Sequence, residues 1–339
     1  MTPAMTPAAA PPDTDTVLEV SGLSVEIRTE DAAVRAVDAV SFTARRGETL
    51  ALLGESGCGK SMTALAVAGL LDPVAEVTAG SVRLADVDLL AADERTRRAK
   101  AGPEIAIVFQ DALTALNPVY PVGVQLAEPF RIHRGLSRVQ ARRAAVELMA
   151  RVGIPEPGAR VDSYPHQFSG GMRQRLLIAM AVALRPSVLL ADEPTTALDV
   201  TVQAQIMRLL RDLRTEHRMA VVLITHDLAL VAEEADRVAI MYAGRVVETG
   251  PVDEVFAAPR HPYSKGLLDS MPAKARPGEP LRSIGGSPPD LSAIPPGCVY
   301  QDRCPRVRDR CRAERPPLRA VEGGRRASAC FYPHEVPNA

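Results

Sequence analysis

Gly54-Glu55-Ser56-Gly57-Cys58-Gly59-Lys60-Ser61 is the stretch on which the reading of this chain turns. It fits G-x-x-x-x-G-K-[ST], a loop whose backbone N–H groups wrap nucleotide phosphates. Its lysine reaches the β- and γ-phosphates and its hydroxyl holds Mg²⁺. The flanks suit that use. Thr49 to Leu53 reads as a short buried strand and Met62 to Leu71 as an apolar helix, whose positive N-terminus faces the phosphates. Ser56, Gly57, Cys58, Gly59, Lys60 and Ser61 are therefore the expected contacts of a nucleotide's phosphates, with Ser61 at Mg²⁺. A thiol at a helix N-terminus is expected to favour its thiolate; Cys58 reads first as a filler residue with no role of its own, whose alkylation would block nucleotide binding by bulk and which bound nucleotide would protect.

At 339 residues with 46% hydrophobic content, the chain is long enough for one large domain with an appendage, or for two domains. The formal net charge of −1 gives no reason to expect a nucleic-acid partner. No apolar run approaches the ~18 residues needed to span a bilayer; Leu176 to Leu184 ends at Arg185-Pro186. Attachment to a membrane would have to come through other chains. Residues 1–16, rich in Ala, Pro and Thr, read as a loose tail without the pattern of a signal peptide, so residence in the cytosol is expected. In that reducing compartment the five cysteines read as metal ligands or inert thiols before disulfides.

Alternating apolar and polar residues over Val17 to Val20, Leu23 to Arg28 and Val37 to Thr43 predict an antiparallel sheet ahead of the phosphate loop. A strand near Ser81 to Leu84 and the apolar strand Ile105 to Phe109 follow, the latter running straight into Gln110. From Val122 to Gly153 the pattern is helical, with Ser137 and Gln140 forming a capping box and Gly153 a stop. Strand and helix then alternate as in a parallel α/β sheet. The strands are Val188 to Ala191 and Ala220 to Ile224, the helices Val202 to Glu216 and Leu228 to Ala235. A closing hairpin covers Ile240 to Val247, and beyond Pro259 proline and arginine dominate.

Val188 to Ala191 ends in Asp192-Glu193. In a phosphate-loop protein the neighbouring strand must deliver an acid to the Mg²⁺ shell, and the next residue points at the γ-phosphate. Asp192 is the expected Mg²⁺ ligand through water, and Glu193 the base that polarises the attacking water. Alone, two acids at a strand end are more often a solvated cap. Here they stand in order with Gln110, Phe168-Ser169-Gly170-Gly171-Met172-Arg173-Gln174-Arg175, Ala197-Leu198-Asp199 and Thr225-His226-Asp227.

By these ordered motifs residues 17–259 resemble an ATP-binding-cassette (ABC) ATPase. The resemblance implies an α/β fold: a RecA-like core with an antiparallel β subdomain and a helical subdomain over about 111–168. It implies that Ser169, Gly170 and Gly171 contact ATP held by an opposing subunit, and that Asp199 lies at the dimer interface. Gln110 would touch Mg²⁺ and sense the membrane partner, and His226 would bond the γ-phosphate. Three positions depart from the family pattern. Ile27 stands where an aromatic ring usually stacks on adenine, so stacking should be weaker. Met62 replaces a hydroxyl residue but keeps its backbone N–H toward ATP. The signature reads Phe-Ser-Gly-Gly-Met where Leu-Ser-Gly-Gly-Gln is usual.

Residues 260–339 form a second pattern: His261-Pro262-Tyr263-Ser264-Lys265-Gly266-Leu267-Leu268, then Cys298, Cys304-Pro305, Cys311 and Cys330. It resembles the C-terminal extension of ATP-binding subunits from dipeptide and oligopeptide importers, a branch that includes nickel and some sugar systems. A segment with so little apolar periodicity is expected to need a staple. The resemblance favours a [4Fe–4S] cluster on the four cysteines; zinc and free thiols are the alternatives, the spacing being unlike the paired C-x₂₋₄-C of structural zinc sites. The implied function is ATP hydrolysis, with Mg²⁺, driving peptide import at the cytoplasmic face of the bacterial inner membrane. The implied partners are two transmembrane permeases, a second ATP-binding subunit and an extracytoplasmic substrate-binding protein. Competing readings are the same role for nickel or a sugar, and a soluble ABC ATPase of DNA repair or translation; a small-molecule kinase would need neither Ser169-Gly170-Gly171 nor His226.

Overall fold

The computed structural model describes residues 15–29, 33–110, 115–196, 198–271, 283–321 and 324–334. The tail expected over residues 1–16 thus lies almost wholly outside the described residues, as do residues 111–114 at the start of the expected helical subdomain and Ala197 of the turn before Asp199.

Two sheets organise the chain. The first is antiparallel, built from β1 (Thr16–Arg28), β2 (Ala33–Arg45), β4 (Ala75–Leu84) and β5 (Val87–Asp88) in the order β2-β1-β4-β5. The two segments expected over 17–28 are one strand. Register shifts beside Leu23 and Val25 bend it, which is why its alternation reads as interrupted. β4 begins six residues before the expected start, because pairing with β1 carries it through Ala75–Gly80, a stretch with no buried side chain to mark it.

The second sheet holds β3 (Thr49–Leu53), β6 (Ile105–Val108), β7 (Val188–Asp192), β8 (Ala220–Thr225), β9 (Arg237–Tyr242) and β10 (Arg245–Pro251). Its parallel part runs β9-β3-β8-β7-β6. Every residue of β3, β7 and β8 is buried, as a sheet covered on both faces requires. Each Leu, Val or Ile so placed contributes about 2 kcal/mol of burial.

Helices α1 (Lys60–Ala68), α2 (Glu94–Lys100), α3 (Val122–Arg134), α4 (Arg138–Arg151), α5 (Pro157–Arg160), α6 (Gly170–Val182), α7 (Val200–His217) and α8 (Leu228–Glu234) connect the strands. The expected box at Ser137 forms: its hydroxyl accepts from Gln140 N–H and Gln140 Oε1 accepts from Ser137 N–H. The helix after the phosphate loop stops at Ala68, short of Leu71, because Gly69 turns left-handed at φ 71° and returns its N–H to Leu65 and Ala66.

The C-terminal segment adds α9 (Val252–Ala257), α10 (Pro262–Asp269), α11 (Asp309–Ala313), β11 (Arg319–Ala320) and β12 (Ala327–Ser328). β12 pairs with β10, and β11 with β12, so this segment widens the main sheet. Its buried residues Tyr263, Cys298, Tyr300 and Cys311 share one core with Ala51, Leu53, Ile240 and Tyr242. The staple expected from its weak periodicity is thereby partly supplied by the main sheet, whose apolar surface the segment covers.

Candidate functional site

Register brings the chemistry together. Leu53 stands opposite Thr225, Asp192 opposite Ile224, and Val108 opposite Ala191. One residue beyond these pairs for the phosphate loop, His226 and Glu193, and two for Gln110, the chain leaves neighbouring strands at the same end of the sheet. This carboxyl-terminal crevice is where open parallel sheets bind ligands.

At that edge Gly59 begins α1 with φ 98° and no side-chain cap, leaving the helix's first N–H groups facing outward. A Cβ on Gly59 would lie 2.5 Å from the Ala36 carbonyl oxygen, so the position needs glycine twice over. Lys60 is buried and curls into its own loop, donating to the carbonyls of Gly54 (2.8 Å) and Glu55 (3.0 Å). Cys58 corrects the expected thiolate. It is 6% exposed, and burial raises its thiol above the usual range despite nearby Lys60.

Ser61 Oγ donates to Asp192 Oδ1 at 3.0 Å. These are hard oxygen donors of the kind Mg²⁺ takes, from the two elements that must converge on it. Burial lifts the Asp192 carboxyl above the ordinary carboxylate range, and the Ser61 hydrogen bond only partly offsets that. Glu193 behaves otherwise. Partial burial pushes it up, but hydrogen bonds from His226 and Thr196 outweigh this and leave it below the usual range. His226 Nδ1 lies 2.8 Å from Glu193 Oε1; Thr196 Oγ1 (2.8 Å) and Gln110 Nε2 (3.0 Å) donate to Oε2. Glu193 also sits at φ 44°, a left-handed conformation costing a non-glycine residue of order 1 kcal/mol. Its N–H donates to the Ile224 carbonyl at 2.9 Å, which helps hold it there.

Other predicted residues lie apart from this cluster. Ser169 caps α6 by accepting from Met172 N–H, and Ser169 and Gly170 are exposed. A Cβ on Gly171 would stand 2.6 Å from Val202 Cγ1, which explains the second glycine. Among the described residues no hydrogen bond joins this segment to the phosphate loop. Asp199 caps α7 through Val202 N–H and is exposed beside Val200, which is 82% exposed. Ile27 is half-buried in β1, between Val34 and Ala75. Met62 packs partly buried beneath the antiparallel sheet. A cavity of about 500 Å³ lies away from all of these, lined by Asp38, Arg245, Val299, Arg315 and Leu318 among others.

Cys298, Cys304, Cys311 and Cys330 do come together, lining one small pocket with His261. Burial pushes the thiols of Cys298 and Cys330 up to about 11 each and raises Cys304 too. Four sulfur donors on one apolar pocket suit a soft metal centre. Even so, no three His, Cys, Asp or Glu side chains among the described residues stand in metal-ligating geometry. Thr196, Tyr263 and Arg303 escaped the sequence reading. Thr196 follows Glu193 by three residues and its spacing could have suggested it; Arg303 reaches Glu55 from 248 residues away, for which no local pattern exists.

A model of the ABC transporter family matches residues 37–196, and one described as the oligopeptide/dipeptide transporter C-terminal region matches residues 247–311. Over 317 residues the chain is 49% identical to the dipeptide transport ATP-binding protein DppD of Escherichia coli (strain K12), covering 94% of this chain and 97% of that protein. This chain belongs to the ABC transporter family of ATP-binding proteins.

A putative peptide import ATP-binding protein of Brucella abortus (strain 2308) is 50% identical over 314 residues, 93% of this chain and 94% of the relative. Among solved structures, a dimeric ATP-binding cassette in a post-hydrolysis state with ADP and Pi superposes with a TM-score of 0.62 at 26% identity, covering 69% of this chain and 98% of the other. The cassette fold expected from the motifs is therefore present, and the chain is an ATP-hydrolysing subunit of a transporter. No helix among the described residues is long and apolar enough to cross a membrane.

Proposed function

We propose that this cassette hydrolyses ATP to energise import of dipeptides or oligopeptides through membrane permeases. The observation that carries the mechanism is Glu193, held between Gln110, Thr196 and His226 at the strand ends beside the phosphate loop. In this reading the N–H groups of residues 56–62 and Lys60 bind the phosphates, Lys60 leaving its carbonyl partners to do so. Ser61, Asp192 and Gln110 hold Mg²⁺, which neutralises charge developing on the phosphates. Glu193 takes a proton from the water that attacks the γ-phosphorus as the bond to ADP breaks, and His226 keeps Glu193 aligned while contacting the γ-phosphate. Ile27 offers adenine a flat aliphatic contact in place of a ring.

Ser169, Gly170 and Gly171, exposed at the start of α6, contact ATP on an opposing cassette, with Asp199 at the same interface. The opposing cassette is a second, related subunit, and two permeases and an extracytoplasmic binding protein complete the importer at the cytoplasmic face of the inner membrane. The C-terminal segment from residue 260, packed on the main sheet, would hold a [4Fe–4S] cluster on Cys298, Cys304, Cys311 and Cys330; the gathering of these four thiols along one pocket supports this. One anaerobic purification tests the whole reading. Tagged Glu193→Gln protein drawn from solubilised native membranes with ATP should bring two polytopic permeases and a second cassette, with iron and acid-labile sulfide. Ribosomal or DNA-associated companions would overturn the importer, and a preparation without iron would overturn the cluster.

A further inference from the structure

Arg303 of the C-terminal segment reaches into the phosphate loop. Nη1 and Nη2 hold the two carboxylate oxygens of Glu55 at 2.7 and 3.0 Å, a bidentate fork on a side chain only 5% exposed. The remaining donors are engaged too. Nε donates to the Gly285 carbonyl at 2.9 Å, Nη1 to the Tyr242 hydroxyl at 3.4 Å and Nη2 to the Ile284 carbonyl at 3.3 Å. All five guanidinium hydrogens therefore have acceptors, which fixes the fork in one orientation. The guanidinium also lies 5.7 Å above the centroid of the Tyr242 ring.

Glu55 is gripped at a second point. Its N–H donates to the hydroxyl of Tyr263 at 3.0 Å, and Tyr263 is fully buried in α10. Its carbonyl meanwhile accepts from Lys60 Nζ. One loop residue thus ties the phosphate-binding lysine to two side chains that belong to the C-terminal segment.

We propose that Arg303 and Tyr263 are positioning residues of the nucleotide site, clamping the phosphate loop through Glu55 in the shape that receives ATP. The loop must present several N–H groups at once, and ordering a loose segment at the moment of binding costs free energy that a preset one has already spent. Because Cys304 follows Arg303 directly, the thiol pocket and the clamp share one short turn, Gln301–Arg303, in which Gln301 N–H donates to the Cys298 carbonyl at 3.0 Å. The inference rests on residues 54–61 being the ATP phosphate loop.

The test is a double-mutant cycle on the purified full chain: wild type, Arg303→Met, Glu55→Ala and both, with MgATP affinity and the nucleotide-free melting temperature measured for each. Arg303→Met should weaken ATP binding about tenfold, the scale of one charge-assisted pair, and the double variant should bind no worse than the weaker single one. Arg303→Lys, which cannot make the fork, should fall between. Affinity unchanged in Arg303→Met would overturn the clamp even if the melting temperature fell, since that is the mark of a purely structural bridge. Losses that multiply in the double variant would overturn it as well. A wild-type chain that binds no ATP would overturn the phosphate-loop reading, and this inference with it.

Discussion

Two neighbouring carboxylates at the end of β7 sit in opposite electrostatic settings, and that difference has a measurable consequence. Asp192 is held above the usual range by burial, while Glu193 is kept below it by the hydrogen bonds that outweigh its own partial burial. Glu193 thus stays ionised, ready to accept a proton, at pH values where Asp192 has begun to protonate and no longer offers Mg²⁺ a charged ligand. Stability follows the same sign. Raising a carboxyl in the native state means its contribution is present below the unfolded pKa and is lost as pH rises through the native one, so the cation-free site is under strain at neutral pH. ATPase profiles at low and high Mg²⁺ should therefore show an acid limb that moves to lower pH as Mg²⁺ rises, because cation and proton compete for Asp192. An acid limb indifferent to Mg²⁺ would assign it elsewhere. In the same assay Glu193→Gln should lose at least ~100-fold in turnover at every pH, the contribution of a positioned general base. Both acids and His226 were legible in the sequence because each stands at the end of a buried apolar strand, and Ser61 because it closes the phosphate-loop motif. Thr196 was not, since a threonine in a turn has many other uses, and the thiolate expected at Cys58 failed because helix position says nothing of depth.

At the scale of elements, α10 starts with a titratable cap. His261 is 1% exposed and its Nδ1 accepts from Tyr263 N–H at 3.1 Å, so the ring is neutral and acts as an acceptor. Burial, aided by His334, depresses its pKa to about 3. For a histidine lowered in the native state, stability is fully present above its unfolded value of 6.5 and is lost as pH falls toward the native one. Between pH 6.5 and 5 the loss should reach about 2 kcal/mol, at 1.36 kcal/mol per unit. Amide exchange across Pro262–Asp269 should accordingly accelerate on mild acidification in the wild type, while His261→Asn, which keeps a capping acceptor but cannot titrate, should flatten the response. An equal acid response in both proteins would place the sensitivity in other groups. Nothing in the sequence announced this cap. His-Pro-Tyr reads locally as a helix start, but its burial depends on partners remote in sequence: the Tyr300 ring lies 5.9 Å from that of His261, and Cys298, Cys330 and Phe331 line the same pocket. The cassette strands were readable for the converse reason: β3, β7 and β8 are buried on both faces and declare themselves as unbroken apolar runs.

At the scale of the whole molecule, the proposed function divides its site residues between two clusters that do not meet. The phosphate loop, Asp192, Glu193 and His226 form one cluster, while Ser169 and Gly170 face solvent at the head of α6. Both segments stood out in the sequence because each has its own motif; that the fold holds them apart did not, since it depends on how α6 leaves the sheet. A substitution at Gly170 separates cis from trans roles. A Cβ there would meet nothing closer than Leu198 Cδ2 at 3.8 Å, and the residue lies on ordinary helical backbone, so the fold has room for a side chain. Gly170→Asp should even favour the helix, since a negative charge in the first turn interacts well with its dipole, by about 0.5 kcal/mol. The same charge would repel a phosphate brought up by an opposing cassette. Isolated Gly170→Asp protein should therefore melt no lower than the wild type and bind ATP with affinity within about twofold, while turnover in the assembled transporter falls ~100-fold or more, as expected when a stabilising contact to the transferring phosphate becomes a repulsive one. Loss of ATP binding by the isolated chain would mean that the Ser-Gly-Gly segment serves its own phosphate loop, and the two-cassette arrangement proposed for this subunit would have to be given up.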